Sequence, residues 1–383
     1  PTRQSQFAAS ILAMPYDEIE PIYVQPGQDY QVVEFAPNVP LYYAPNPLND
    51  LFSFSISIDV GTEENDALGL ATALLNKSGA GELNAEELQK EWYRLGSDFG
   101  IGAGANESSI GVSGLDEQFD ASLDLMLELV RNPVTDHATL EELKAIILKS
   151  REDQKQDPRA ISQALFLYNR YGDDSPMLKA LSSEQVQAAT VEELQALIGG
   201  LLQYKQTLSY TGSLPLEELL EKLHARYEVP AQLQDTPAYR FRTAREITSN
   251  EIYVVNQETA QAQVRIEFPD GTYDEALVVP ASLYNSYFGT SMSSVVFQEL
   301  REARALAYSA QAQYAQGGRI DAENLGLGVI SSQNDKTVDA LAAFLDLFEN
   351  MPVSGERFDE AQSALANRYR TSTIGFRQIN GTV

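Results

Sequence analysis

Phe52-Ser-Phe-Ser-Ile-Ser-Ile58 and, 210 residues further on, Ala262-Gln-Val-Arg-Ile-Glu-Phe268 carry the same alternation of apolar and polar side chains, and they lead to Gly61-Thr62 and Gly271-Thr272. A period of two is the pattern of a strand with one buried face. Working outward, Ile110-Gly-Val-Ser-Gly-Leu115 precedes a helical stripe of Phe119, Leu123, Met126, Leu127 and Val130 that stops at Asn132-Pro133. In the second half, Leu327-Gly-Val-Ile-Ser-Ser332 precedes a stripe of Val338, Leu341, Leu345 and Phe348 that stops at Met351-Pro352. A second helix follows each Pro, one opened by a capping box of Thr139 and Glu142, the other striped by Phe358, Ala361, Leu365 and Tyr369. The repetition predicts an α+β protein of two homologous units, each an antiparallel sheet with helices packed on one face. Chance likeness between two ordinary strand-helix units is the competing explanation. The second unit is the shorter and reads as open to truncation.

The same pattern divides the chain. Residues 1–40, with Pro15, Pro21, Pro26, Pro37 and Pro40, read as an extended lead-in. Residues 41–227 form the first unit, residues 228–250 with Pro230 and Pro237 the linker, and residues 251–383 the second unit. Within the first unit, a helical connector over 159–202, with a capping box at Thr190 and Glu193, precedes a strand at Thr207–Tyr210 and a helix at Pro215–Tyr227.

A length of 383 residues exceeds what one core serves, which agrees with two domains. The 27 basic and 55 acidic residues leave a net charge of −28, which repels phosphate backbones and anionic headgroups, so neither nucleic acid nor a membrane surface is expected as a partner. No apolar run approaches the ~20 residues that span a bilayer, and Pro1–Ser10 lacks a signal pattern, so a soluble protein is expected. Pro1 and the interrupted tail Gly375–Val383 read as cut ends of a longer polypeptide. With no Cys and only His137 and His224, thiolate nucleophiles, disulfides and paired-His metal motifs are excluded from this sequence.

Few residues remain for chemistry. Gly100-Ile-Gly-Ala-Gly104 is followed by another alternating run rather than a helix, against a dinucleotide turn. Gly289-Thr-Ser-Met-Ser-Ser294 opens a helix and reads as a Ser-rich cap before an anion site. His137 and His224 stand in no triad-like motif, and the acid pairs Glu63-Glu64, Glu86-Glu87 and Glu141-Glu142 read as solvated helix starts. The one unusual constellation is Phe297-Gln-Glu-Leu-Arg-Glu-Ala-Arg-Ala-Leu-Ala-Tyr-Ser309, where a helix carrying Arg301 passes into a strand carrying Tyr308. A cation and a phenol donor suit a carbonyl or an oxyanion. By spacing alone, a structural Arg and a packed Tyr explain the pair as well.

The segment Tyr284-Asn-Ser-Tyr-Phe-Gly-Thr-Ser-Met-Ser-Ser-Val-Val-Phe-Gln-Glu-Leu-Arg-Glu-Ala-Arg-Ala-Leu-Ala-Tyr-Ser309 resembles the Gly-Ser-Ser-Phe, Leu-Arg-Glu and Leu-Ala-Tyr-Ser signature of the insulinase/pitrilysin family of zinc peptidases. Leu41–Gly114 resembles it too, and the likeness, which extends from about residue 40 to the end, is to the C-terminal, non-zinc half of the long bacterial members. In that family the zinc site is a His-x-x-Glu-His helix with a distal Glu. The matching helix here is Gly69–Gly79, with Thr72 and Asn76 at the His positions, Leu75 at the Glu position and Lys149 at the distal one. The resemblance therefore implies no metal and no catalytic carboxylate in this segment, with zinc in a partner N-terminal half, fused or separate. It also implies that Arg301 and Tyr308 reach into that half and hold the substrate peptide or its tetrahedral intermediate. A periplasmic location and unfolded peptide or small-protein substrates follow by resemblance. The alternative within the family is a catalytically inactive assembly or peptide-binding subunit.

Overall fold

A computed structural model describes residues 5–15 and 19–383. Its larger sheet is built from β1 (Gln31–Ala36), β2 (Val39–Pro45), β3 (Leu51–Ile58), β4 (Asp98–Ala103), β5 (Ser108–Leu115) and β6 (Thr207–Gly212), in the order β1-β2-β6-β3-β5-β4. All neighbours are antiparallel except β2 and β6. A smaller sheet holds β7 (Gln261–Thr272), β8 (Ser309–Ala315) and β9 (Glu323–Gln333) in the order β8-β9-β7, all antiparallel. The order β4-β5-β3 of the first sheet thus recurs as β8-β9-β7 in the second, so the α+β architecture and the repeat read from the sequence are both present.

Alternation decides which face is buried. Phe52, Phe54, Ile56 and Ile58 of β3 are all at most 3% exposed, while Ser53, Ser55 and Ser57 face the other way. On the apolar face lie α1 (Leu68–Leu75), α2 (Ala85–Leu95), α3 (Phe119–Arg131) and α4 (His137–Gln154). Phe119 of α3 meets Phe52, Phe54 and Tyr210 edge-on, at ring-centroid distances of 5.1, 6.3 and 5.6 Å. The five residues of the α3 stripe are all buried, as their spacing predicts.

After α4 the chain forms α5 (Pro158–Tyr171), two short helices, α6 (Val191–Leu201), β6 and α7 (Leu216–Arg226). The Thr190–Glu193 capping box opens α6 as expected. The second unit repeats the first up to a point: α8 (Val278–Tyr284) follows β7, α9 (Thr337–Glu349) and α10 (Gly355–Thr371) follow β9, and α11 (Phe376–Thr382) follows α10 as α5 follows α4.

Several expectations are corrected. The sheet reaches back into the expected lead-in, because Val39 and Phe35 bury themselves against α7 and the core and so pair β1 with β2. Thr139 does not open α4. Asp136 does, its carboxylate accepting the Thr139 amide at 2.6 Å, because Asp caps the helix three residues earlier. In α9 the buried stripe is Ala340, Phe344 and Leu347, whereas Val338 is 79% exposed. That helix is apolar on more than one side, so periodicity alone did not select the face.

The polar faces are covered in part, by exchange of one helix each. Helix α5 of the first unit lies against β7 of the second: Arg265 donates to Gln163 at 3.1 Å and stands 4.7 Å over the Phe166 ring, and Asn169 donates to Glu267 at 3.2 Å. Reciprocally, α11 of the second unit lies on β2 and β6 of the first. The Asn380 amide nitrogen is within 3.2 Å of the main-chain oxygens of Tyr42 and Tyr210 and of the Ser209 hydroxyl.

Burial under α5 pushes the Glu267 carboxyl above the usual carboxylate range, against the opposing effects of Arg170, the Asn169 hydrogen bond and Arg265. The folded protein therefore holds that proton more tightly than the unfolded chain, and stability falls as pH rises through the interval between the two pKa values. Glu267→Gln is expected to raise the melting temperature at about pH 7, with the gain shrinking as pH falls through about 4, as the wild-type carboxyl becomes protonated in the unfolded chain too. Melting curves of both proteins across that range check the sign.

Candidate functional site

The segment that carries Arg301 and Tyr308 begins at α8, which widens into a π-helical turn over Asn285–Gly289. Gly289 is required there by close approach: a Cβ on it would lie 2.0 Å from the Ala312 main-chain oxygen of β8. The serines that follow serve the turn. Ser291 donates to the Ser286 carbonyl at 3.1 Å, and the Ser294 hydroxyl accepts the Phe297 amide at 3.4 Å, which agrees with the capping reading of this stretch. Val295, Val296 and Leu300, each 0% exposed, then anchor a second π-helical turn, Phe297–Ala303.

This second turn closes tightly. The Leu306 amide donates to the Leu300 carbonyl at 2.9 Å and the Ala305 amide to the Arg301 carbonyl at 3.2 Å. Such a closure places one residue in the left-handed region, normally Gly. Here it is Ala305, with φ of +48°. The Lys336 ammonium, from the residue before α9, donates to the Ala305 carbonyl at 3.4 Å. The chain then enters β8, with the Tyr308 amide donating to the Ser331 carbonyl at 2.8 Å.

Burial of each preceding residue turns the pair outward. Leu300 and Ala307 point into the core, so Arg301 and Tyr308 face solvent, Tyr308 with 69% of its surface exposed. The Arg301 guanidinium sits 4.9 Å from the Phe297 ring centroid and 5.8 Å from that of Tyr308. Its nearest carboxylate, Glu302, is 3.6 Å away and exposed, a contact of little energy. Among the described residues the Tyr308 phenol has no hydrogen-bond partner. The two residues therefore form a rim with a cation and a donor to offer, with the exposed Glu302 carboxylate as the acid beside them.

The zinc-helix positions are used structurally. Thr72 and Leu75 are buried in α1, the Thr72 hydroxyl donating to the Gly69 carbonyl at 3.2 Å. The Asn76 amide holds both main-chain groups of Ile101 in β4, donating to its carbonyl at 2.9 Å and accepting its N–H at 3.4 Å. Lys149 is exposed and paired with Asp153 one turn along α4. Among the described residues no group of three or more His, Cys, Asp or Glu lies close enough to hold a metal.

Other candidates are absorbed by the fold. His224 stacks on Phe35 at 4.5 Å, its ring nitrogens against the Leu220 and Phe35 carbonyls. His137 is the first residue of α4. Gly100–Gly104 lies along β4 and its hairpin to β5. Glu86 and Glu87 do start a helix, but Glu63 does not: it is half-buried and ion-paired with Arg242 of the linker stretch.

Residues 206–365, a stretch that contains both Arg301 and Tyr308, match the peptidase M16 inactive domain. Over that stretch the chain is similar to the inactive domain of the M16 peptidases. This bears out the family resemblance read from the 284–309 segment. An uncharacterized zinc protease of Streptomyces coelicolor is 22% identical over 273 residues, which cover 67% of this chain and 58% of that protein. The chain thus spans little more than half the length of this curated relative. The peptidase M16 inactive domain of Pseudomonas fluorescens shares the fold, with a TM-score of 0.71 at 18% identity over 92% of this chain and 86% of that one. So does the periplasmic protease PqqL of Escherichia coli, with a TM-score of 0.74 at 15% identity over 97% of this chain and 42% of that one.

Sequence reasoning missed Ala305 and Lys336, and no sequence signal marked them, since a left-handed Ala has no composition cue. Ala305→Gly is expected to stabilise the chain by roughly 0.5–1 kcal/mol by removing the Cβ penalty of the left-handed region, as read from denaturant midpoints at constant slope.

Proposed function

We propose that this chain is the non-zinc half of an M16-type zinc peptidase, organised as units 41–227 and 251–383 about a linker at 228–250, and that it grips substrate for a zinc-bearing half. The single observation that carries the proposal is the placing of Arg301 and Tyr308 side by side and exposed on one rim, inside the stretch matched by the inactive-domain family. Buried, they would be packing residues. Exposed, with the phenol unengaged, they suit a peptide carbonyl or the oxyanion that forms from it.

The division of labour follows from the residues. Thr72, Leu75, Asn76 and Lys149 offer no set of metal ligands, so the metal chemistry belongs to the other half. The contribution of this half is a preorganised cation and donor, brought up to a site that it does not contain, together with one wall around the substrate. Peptides or unfolded small proteins are the substrate class this reading implies, and a periplasmic location is supported by the Escherichia coli relative.

In the complete enzyme, Arg301→Ala or Tyr308→Phe is expected to lower kcat/KM for a peptide by about ten- to a thousand-fold, with the melting temperature unchanged because both side chains are exposed. Wild-type turnover in both variants would remove the assigned role. Peptide binding by this chain, or its assembly with other subunits, without any zinc-bearing partner would instead point to the non-catalytic alternative.

A further inference from the structure

The Arg301 cation is held by rings rather than by an acid. Its guanidinium carbon stands 4.9 Å from the centre of the Phe297 ring and 5.8 Å from that of Tyr308, both within the range over which a ring face attracts a guanidinium. The Glu302 carboxylate comes only within 3.6 Å of the Arg301 Nε, with both side chains about half exposed, so it competes weakly. Glu299, the other carboxylate of the same turn, faces Arg357 of α10 at 3.8 Å. Among the described residues no N–H of Arg301 donates a hydrogen bond.

The two rings differ in what fixes them. Phe297 is half-buried and stands between Val296 and Leu300, both 0% exposed, in a turn whose entry is capped by the Ser294 hydroxyl. Tyr308 is 69% exposed. Phe297 is therefore the fixed ring, and the longer Arg301 side chain is laid against it. The kind of contact decides what the cation can still do. A carboxylate would orient Arg301 by taking its N–H donors and cancelling its charge. A ring face orients the guanidinium and leaves both available. Arg loses much rotamer freedom when it is held, and here that loss is incurred in the free protein, before a substrate arrives.

We propose that Phe297 is a positioning residue, whose ring face holds the Arg301 guanidinium at the rim, ready for a peptide carbonyl or oxyanion and uncommitted to any acid of this chain. Arg301 touches the substrate, and Phe297 acts through Arg301. The proposal rests on the reading of Arg301 and Tyr308 as substrate-gripping residues, and it adds the group that sets the orientation of the cation.

The test varies the ring face and keeps its shape. In the complete enzyme, Phe297 is replaced by phenylalanines bearing one, two and three ring fluorines, which drain negative charge from the face with little change in size. The kcat/KM for a peptide is expected to fall stepwise with the number of fluorines, by about three- to ten-fold over the series, at a nearly constant melting temperature. In the Arg301→Ala background the same series is expected to be flat, because no cation remains for the ring to hold. A packing role for Phe297 would give no fluorine dependence in either background, and direct contact between ring and substrate would give the same dependence in both; either result overturns the proposal. Wild-type turnover in Arg301→Ala would remove the gripping reading and this proposal with it. Slow turnover in Arg301→Ala beside a flat series in the wild-type background would overturn the proposal alone.

Discussion

The reciprocal exchange of two helices is the constraint on which the rest depends. A sheet with one apolar face can be served by its own helices, but its opposite face of serines, threonines and charged residues still needs a cover that satisfies main-chain and hydroxyl groups. Each unit obtains that cover from the other. Helix α5 crosses to β7 through Arg265, Phe166 and Glu267, and α11 crosses to β2 and β6 through Asn380. Neither contact is a large apolar interface. Both consist of hydrogen bonds and ring contacts with geometric demands, so they fix orientation as much as they stabilise. The cost is visible at Glu267, where a carboxylate is desolvated to complete the seam.

The Arg301 and Tyr308 rim depends on that frame. Two widened helical turns, a glycine pressed against β8 and an alanine held in the left-handed region compress the path from helix to strand. Wide turns and left-handed residues are individually unfavourable, and they persist where surrounding packing over-determines them. Here Leu300 and Ala307 are the over-determining contacts. Their burial leaves the next side chain in each case no direction but outward, and the short path keeps the cation beside the ring.

Much of this was legible in the residues, for particular reasons. The alternation at 52–58 and 262–268 and the Pro stops at 133 and 352 are local signals, and both halves fold as those signals read. The α3 stripe was legible because one side of that helix is polar. The α9 stripe was not, because Val338, Leu341 and Leu345 offer a second apolar side that competes with Ala340, Phe344 and Leu347. Thr139 misled because a capping box is a spacing, and Asp136 caps the helix three residues earlier by accepting the Thr139 amide.

For the site, the sequence by itself determined which chemistry is absent and which pair of residues is available. Without Cys, with two His and with Thr72, Leu75 and Asn76 on the helix that resembles a zinc helix, the ligands of a His-x-x-Glu-His motif are not on that helix. Only the tertiary structure decided that Arg301 and Tyr308 face solvent together, that Asn76 is spent on Ile101, and that one helix of each unit lies on the polar face of the other's sheet. The physical reason is range. Periodicity, caps and turns report interactions within a few residues, whereas exposure and helix exchange depend on contacts between residues as far apart as Tyr42 and Asn380, which no local pattern encodes.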